Sequence, residues 1–222
     1  MPLNLAMDGP VGAGKSSIAA EVARRLGILH LDTGAMYRSI GRTALVRGVD
    51  VKDEAAVTAL CAQVDITVSH EEDGQHTYVD GEDVTGLIRT PEVSMAASTV
   101  AKYLGVRQAM VALQQKLASQ TPMLLDGRDI CTRVLPNATV KIYLTASAEE
   151  RARRRWLEMQ QKGAADTYEQ VLADLKQRDH QDMNREVDPL RPAEDAVIVD
   201  STELNFEQVV EAILAIVKEK TE

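Results

Sequence analysis

Eight residues near the start of the chain constrain its fold more than any other feature: Gly9-Pro10-Val11-Gly12-Ala13-Gly14-Lys15-Ser16. They match G-x-x-x-x-G-K-[ST] in full, a pattern that works in only one setting. The glycines let the backbone curl so that successive N–H groups face a phosphate, and a helix opening directly behind adds its positive end. Lys15 then reaches the β- and γ-phosphates, and the Ser16 hydroxyl is placed to ligate Mg²⁺. The loop has to follow a buried strand and start a helix. The sequence supplies both, with the apolar run 3–7 before it and helix periodicity over 15–26 after it. A dinucleotide fingerprint does not fit, because the third glycine of G-x-G-x-x-G falls at Ser17. The motif therefore implies a nucleoside triphosphate on Gly9, Pro10, Val11, Gly12, Ala13, Gly14, Lys15, Ser16 and Ser17.

The rest of the chain repeats the same alternation. Short apolar runs at 3–7, 28–31, 123–125, 140–144 and 196–199 read as strands buried on both faces, as in a parallel sheet. Helix-period segments separate them at about 15–26, 34–46, 92–118 with a break near Gly105, 147–161, 167–184 and 206–219. Ser147 with Glu150 and Asn205 with Gln208 have the spacing of capping boxes. The expected fold class is α/β, a P-loop NTPase-type parallel sheet flanked by helices. Residues 64–89 depart from this pattern. Val64, Ile66 and Val68 alternate with polar neighbours, Tyr78-Val79 follows, and Asp73-Gly74 and Asp80-Gly81 mark turns, which predicts a small antiparallel sheet inserted between helices.

Composition narrows the partners. With 45% hydrophobic and 27% charged residues the chain is a globule, and with one Trp, one Phe and five Tyr its core has to be aliphatic. A formal net charge of −9 argues against an extended nucleic-acid or anionic-membrane surface. No apolar stretch approaches the ~18 residues of a membrane helix, and Met1-Pro2-Leu3-Asn4 lacks the basic flank of a signal peptide. Two cysteines, Cys61 and Cys131, make no disulfide framework and fit a reducing cytoplasm.

Within this acidic total, 16 arginines outnumber nine lysines, and the guanidinium is the better fork for phosphate. Arg38 follows the turn Asp32-Thr33-Gly34 and Arg128 lies in Asp126-Gly127-Arg128-Asp129, each just past the carboxyl end of a strand, where α/β sheets gather ligands. Arg151, Arg153, Arg154 and Arg155 are dense on one helix. At 100° per residue Arg151, Arg154 and Arg155 share a face and Arg153 points away, which suits either a solvated helix or a mobile lid over triphosphate. Arg178, Asp182 and Arg185 fall within about 60° on a helix face, as an ion-pair ladder or as a grip on phosphate and ribose. A guanine-reading Asn-Lys-x-Asp is absent, since Asn4, Asn137, Asn184 and Asn205 are followed by Leu, Ala, Arg and Phe.

Five blocks together resemble the bacterial cytidylate kinases of the nucleoside monophosphate kinase family. They are Asp8 to Lys15, Leu31-Asp32-Thr33-Gly34-Ala35-Met36-Tyr37-Arg38, Asp126 to Asp129, Arg178-Asp179 with Asn184-Arg185-Glu186-Val187, and Pro192 to Asp200. The resemblance implies a five-stranded parallel sheet with a small antiparallel β insertion and a helical lid. The whole chain, 1–222, is then one kinase domain, with its core at about 1–62 and 91–222, the insertion at about 63–90 and the lid at about 150–180. It implies transfer of the ATP γ-phosphoryl to CMP and dCMP with Mg²⁺, by a cytoplasmic monomer with no nucleic-acid or membrane partner. By position, Arg38, Arg128 and Arg185 would hold the CMP phosphate, and Ser98, Arg107 and Asp129 would read cytosine. Asp182 would bind ribose, and Thr33 and Tyr37 would line the site. Arg178 and the lid arginines, Arg154 among them, would face ATP. Lys15, Arg128, Arg178 and Arg185 would be catalytic and Ser16 the metal ligand. Two positions depart from the family pattern: Thr33 stands where serine is also common, and Cys131 stands where glycine is usual in Gly-Arg-Asp-Ile-Gly-Thr.

Overall fold

The structure, a computed structural model, describes residues 2–71, 74–161 and 163–222. In chain order its elements are β1 (Asn4–Asp8), α1 (Lys15–Leu26), β2 (Leu29–Asp32), α2 (Thr33–Val46), α3 (Glu54–Cys61), β3 (Ile66–Glu71), β4 (Gly74–Val79), β5 (Glu82–Asp83), α4 (Pro91–Val100), α5 (Leu104–Gln120) and β6 (Met123–Gly127). A π-helical turn (Ile130–Val134) then precedes β7 (Val140–Thr145), α6 (Ala148–Gln161), α7 (Tyr168–Asn184), β8 (Val197–Asp200) and α8 (Phe206–Thr221). The main sheet is parallel, in the order β2-β6-β1-β7-β8, with Leu5 opposite Val140 and Ile142 opposite Val197. The second sheet, β3-β4-β5, is antiparallel with Ile66 opposite Val79, and Asp80 and Gly81 turn between β4 and β5 at positive φ. Asp73, half of the other turn signal, lies outside the described residues.

By its contacts the chain divides into two compact units, Leu29–Met123 with Pro2, and Leu3–Ile28 with Leu124–Glu222. The second unit has an aliphatic core. Leu5, Met7, Leu124, Ile142 and Leu144 of the strands meet Ile18 and Val22 of α1 and Val210 and Ile213 of α8, all buried. Each such side chain contributes about 1.5–3 kcal/mol by leaving water. Among the described residues Tyr143 is the one aromatic in the buried set, as the composition requires. In the first unit Met36, Ile40 and Ala44 of α2 are buried, as are Val93, Ala97 and Val100 of α4.

The strand and helix positions follow the periodicity, with informative exceptions. β8 is not buried on both faces: it closes one edge of the sheet, and Ile198 is 61% exposed. The helical stretch 92–118, expected to break near Gly105, does break close by, at 101–103, and Gly105 lies in the first turn of α5 packed against Thr58 of α3. Two elements carried no periodic signal: α3, capped by Asp53, is eight residues long, and the π-helical turn is five. Asn205 and Gln208 form the full capping box, as do Thr167 and Gln170. Ser147 makes only half of one. Its hydroxyl accepts the Glu150 N–H, but the Glu150 carboxylate is taken by Arg153 and Arg154, whose charge outcompetes a neutral amide, and Thr202 accepts the Ser147 N–H instead.

Candidate active site

The phosphate cradle follows directly from the strand that precedes it. β1 ends at Asp8, and Gly9 turns the chain at φ 153° so close to β7 that a Cβ there would collide with the Leu144 carbonyl. α1 opens on Gly14 with no side-chain cap, so the amides of its first turn are left to a ligand. Lys15 folds back and donates from Nζ to Pro10 O at 2.7 Å. Burial, reinforced by the nearby Arg128 charge, pushes its ammonium down to about 7. Ser16 Oγ donates to Asp126 Oδ2 at 2.9 Å. This brings a hydroxyl and a carboxylate together, two hard oxygen donors of the kind Mg²⁺ takes alongside substrate phosphates. Asp126, buried at the end of β6, is a site residue that the sequence reading had not assigned. The signal was present, as an acid directly after the apolar run Met123–Leu125.

Two crossed ion pairs stand in the same unit. Arg128 Nε donates to Asp182 Oδ2 at 2.8 Å. Burial raises the Asp182 carboxyl, but the charge and hydrogen bond of Arg128 outweigh it and hold the group below the usual range. Arg185 donates from Nη2 to Asp129 Oδ1 at 3.1 Å and from Nε to Asp188 O at 2.7 Å. The helix-face reading of Arg178, Asp182 and Arg185 needs correcting. α7 ends at Asn184, whose amide donates to His180 O, and Arg185 has extended backbone, so it meets Asp129 from outside the helix. Arg178 remains on α7, where its charge acts on Asp182.

The stretch carrying Arg128 and Asp129 is anchored by Asp8. Asp8 Oδ1 accepts the Ile130 N–H and Oδ2 the Cys131 N–H, both at 2.8 Å. Burial pushes the Asp8 carboxyl up to about 6 against these two amides. Cys131 occupies its position without positive φ and lies buried, its Sγ 3.5 Å from Ala6 O. Burial and the neighbouring Asp8 push its thiol well above the ordinary range. With Ile142 O also 3.7 Å from its Sγ, it packs as a buried filler between β1 and β7.

A cavity of about 850 Å³ lies beside the cradle, lined among others by Gly14, Ser17, Arg153, Arg154, Ser201 and Phe206. Arg154 is fixed in its wall. Nη2 donates to Ser201 O at 2.6 Å, Nη1 to Ser201 Oγ at 3.1 Å, and Nε to Glu150 at 2.8 Å. The four arginines of α6 do not act as one face. Arg153 and Arg154 line the cavity, Arg155 pairs with Glu158 at the surface, and Arg151 is buried.

The remaining residues expected at CMP lie in the first unit. Arg38 Nη2 donates to Asp32 Oδ2 at 2.7 Å, while its Nε is buried with no hydrogen-bond partner among the described residues. A buried donor of this kind suits an anionic ligand. Asp32 also caps α2 by accepting the Ala35 N–H. Burial raises its carboxyl, yet the adjacent Arg38 holds it below the usual range. Gln75 of β4 reaches the same turn and accepts the Asp32 N–H at 2.7 Å. Arg107 is 1% exposed, lies over the Tyr37 ring at 5.9 Å and donates to Ala101 O at 3.2 Å. Thr33 is buried at the start of α2, and Ser98 Oγ donates to Ser94 O within α4.

Comparison with known proteins agrees with this geometry. Residues 5–219 match the family model described as cytidylate kinase. The chain is 50% identical over 212 residues to a cytidylate kinase of Caldicellulosiruptor bescii, covering 96% of this chain and 94% of the relative. It is 50% identical over 222 residues to a cytidylate kinase of Bacillus licheniformis, covering 99% and 98%. A crystal structure of an uncharacterized protein from Eubacterium ventriosum shares the fold, with TM-score 0.55 and 9% identity over 97% of this chain and 98% of that one. A P-loop unit holding two crossed arginine–carboxylate pairs, matched at half identity from end to end, leaves one assignment: the chain belongs to the cytidylate kinase family.

Proposed function

We propose that the chain transfers the γ-phosphoryl group of ATP to the phosphate of CMP, and of dCMP, giving ADP with CDP or dCDP. One observation carries the reading beyond a generic P-loop enzyme: the crossed pairing of Arg128 with Asp182 and Arg185 with Asp129. Each pair places an arginine suited to a phosphate against an acid suited to a nucleoside. A ligand with a phosphate at one end and hydroxyl and amine donors at the other engages all four. Asp129 would accept from the exocyclic amine of cytosine, aided by Ser98 and Arg107, and Asp182 from the ribose hydroxyls. Arg38, Arg128 and Arg185 would hold the CMP phosphate, with Thr33 and Tyr37 lining the site.

On the donor side the loop Gly9–Gly14 with Ser17 would cradle ATP, and Arg154 would face the nucleotide from the cavity wall. Ser16, with Asp126 beside it, would hold Mg²⁺, which when bound offsets the charge on the β- and γ-phosphates. Lys15 would leave Pro10 O for the triphosphate and, with Arg128, Arg178 and Arg185, neutralise charge as it moves between the two nucleotides. The attacking phosphate oxygen of CMP is already anionic near neutral pH, so positioning and neutralisation suffice without a strong base. This suits a chain in which His70 Nε2 meets His30 O and His76 meets Asp83.

Among the described residues no helix is long and apolar enough to cross a membrane. We read the enzyme as a cytoplasmic monomer, and the two buried, unbridged cysteines support the compartment part of that reading. The deciding experiment is ADP release with CMP, dCMP, UMP and AMP as acceptors. CMP and dCMP are expected to turn over far faster than the other two, and equal rates with UMP or AMP would overturn the acceptor assignment.

A further inference from the structure

Val11, in the middle of the phosphate loop, has both of its backbone polar groups held by one buried ion pair. Arg151 of α6 donates from Nη1 to Val11 O at 2.8 Å and lies 2.7 Å from Asp179 Oδ2 through the same atom. Its Nε donates to Ala146 O at 2.9 Å. Asp179 of α7 closes the ring by accepting the Val11 N–H at Oδ1, 3.3 Å away. Arg151 is 5% exposed and Asp179 8%. The Val11 side chain packs on Ala152, Val171 and Leu175 of the same two helices. At Gly12 a Cβ would stand 3.2 Å from Leu175 Cδ1 and 3.5 Å from Arg151 Cβ, so the helix pair lies directly against the loop.

Stability does not account for this arrangement. Removing two charges from water is costly, and apolar residues of similar size commonly replace a buried ion pair without loss. An apolar pair, however, cannot offer one acceptor and one donor to a single loop residue. We propose that Arg151 and Asp179 are positioning residues for ATP: they fix both peptide groups of Val11, and with them the curvature of the loop that presents its amides to the triphosphate. In this role neither side chain touches substrate, which separates Arg151 from Arg153 and Arg154 on the same helix. The inference rests on the assignment of the loop to ATP but not on the identity of the acceptor.

The test is the double variant Arg151→Met/Asp179→Leu, examined by thermal melting and by calorimetric titration with ATP and magnesium in the absence of CMP. A cooperative melt at a lower temperature than wild type is expected, because Val11 and Ala146 lose their partners, together with ATP affinity weakened at least about tenfold, the effect of losing two hydrogen bonds at the loop. At saturating ATP the KM for CMP should stay within about twofold of wild type. A folded double variant that binds ATP as wild type does overturns the proposal. If the variant does not fold, amide exchange of Val11 in the wild-type protein decides instead. Protection supports the clamp, and exchange at the rate of an open loop refutes it. A wild-type protein that binds ATP but does not phosphorylate CMP would sink the acceptor reading and leave this one standing.

Discussion

Two sets of arginine–carboxylate pairs in this molecule make bonds of similar length in different surroundings. On the outer face of α1, Arg25 reaches Glu21, Glu207 and Glu211 at 2.6–2.7 Å, and the two glutamates of α8 are about 60% exposed. In the cradle unit Arg151 and Arg185 reach Asp179 and Asp129 at 2.7 and 3.1 Å, with all four side chains only 6–11% exposed. Distance does not separate the two sets, but surroundings do. At the surface water competes for each charge and salt screens it, so the pair is worth little. Inside, each guanidinium fixes a specific carboxylate, carbonyl or loop, and losing it leaves the partner stranded. The net charge of −9 belongs to the first kind of region and says nothing about the second.

The largest expected effect lies in the buried set. Lys15→Ala removes the one ammonium of the cradle, a group that burial has already pushed down to about 7 and that anionic phosphate would recharge. Turnover should fall by about two to four orders of magnitude, in line with the loss of a principal electrostatic contact to the transferring group. The melting temperature should not fall, because burying that amine is itself unfavourable. Steady-state assay with CMP, alongside a melting curve, checks both halves. Near-normal turnover would place Lys15 with the surface charges and break the contrast.

A second buried charge gives a smaller, pH-dependent effect. Asp8 is raised from 3.8 to about 6 by burial, so the folded state binds its proton more tightly than the unfolded state. The resulting stabilisation is fully present below pH 3.8 and is lost as pH rises through about 6. Between pH 7 and pH 5 the wild type should therefore gain about 1 kcal/mol relative to Asp8→Asn, which does not titrate. Urea unfolding of both proteins at the two pH values measures this. A constant difference would mean that the two amides of Ile130 and Cys131 hold Asp8 ionised throughout.

The contrast also explains what was legible in the sequence. The cradle was readable because its parts are contiguous: Gly9 to Ser16 form one loop, and the strand and helix that frame it are periodic. The Asn205–Gln208 box needs only three residues of separation, and it stood as read. The pairs of the cradle unit join residues far apart in the chain, 54 positions for Arg128 and Asp182, 56 for Arg185 and Asp129, and 110 for Ser16 and Asp126. No local pattern marks such a pair. Arg151 shows the difficulty most clearly. Helical angle groups it with Arg154 and Arg155, yet only packing against α7 and the loop separates a buried clamp from a cavity wall and a surface charge. Elements without a periodic face were missed for a related reason, since α3 and the π-helical turn are too short to repeat.

The smallest expected effect tests the other side of the comparison. Arg25→Ala removes a residue that touches three glutamates, and bond counting alone would rank it above Arg128. The three acids lie on α1 and α8, away from the cradle, and on losing Arg25 they are rehydrated and not buried. Turnover should be unchanged, and the melting temperature should move by no more than about 1–2 °C at physiological salt. Whatever shift appears at low salt should shrink as salt is added, because exposed pairs are screened over about 8–10 Å. A loss of several degrees that persists at high salt would show that the α1–α8 network acts as buried pairs do, and burial would then be the wrong criterion for separating the two groups of arginines.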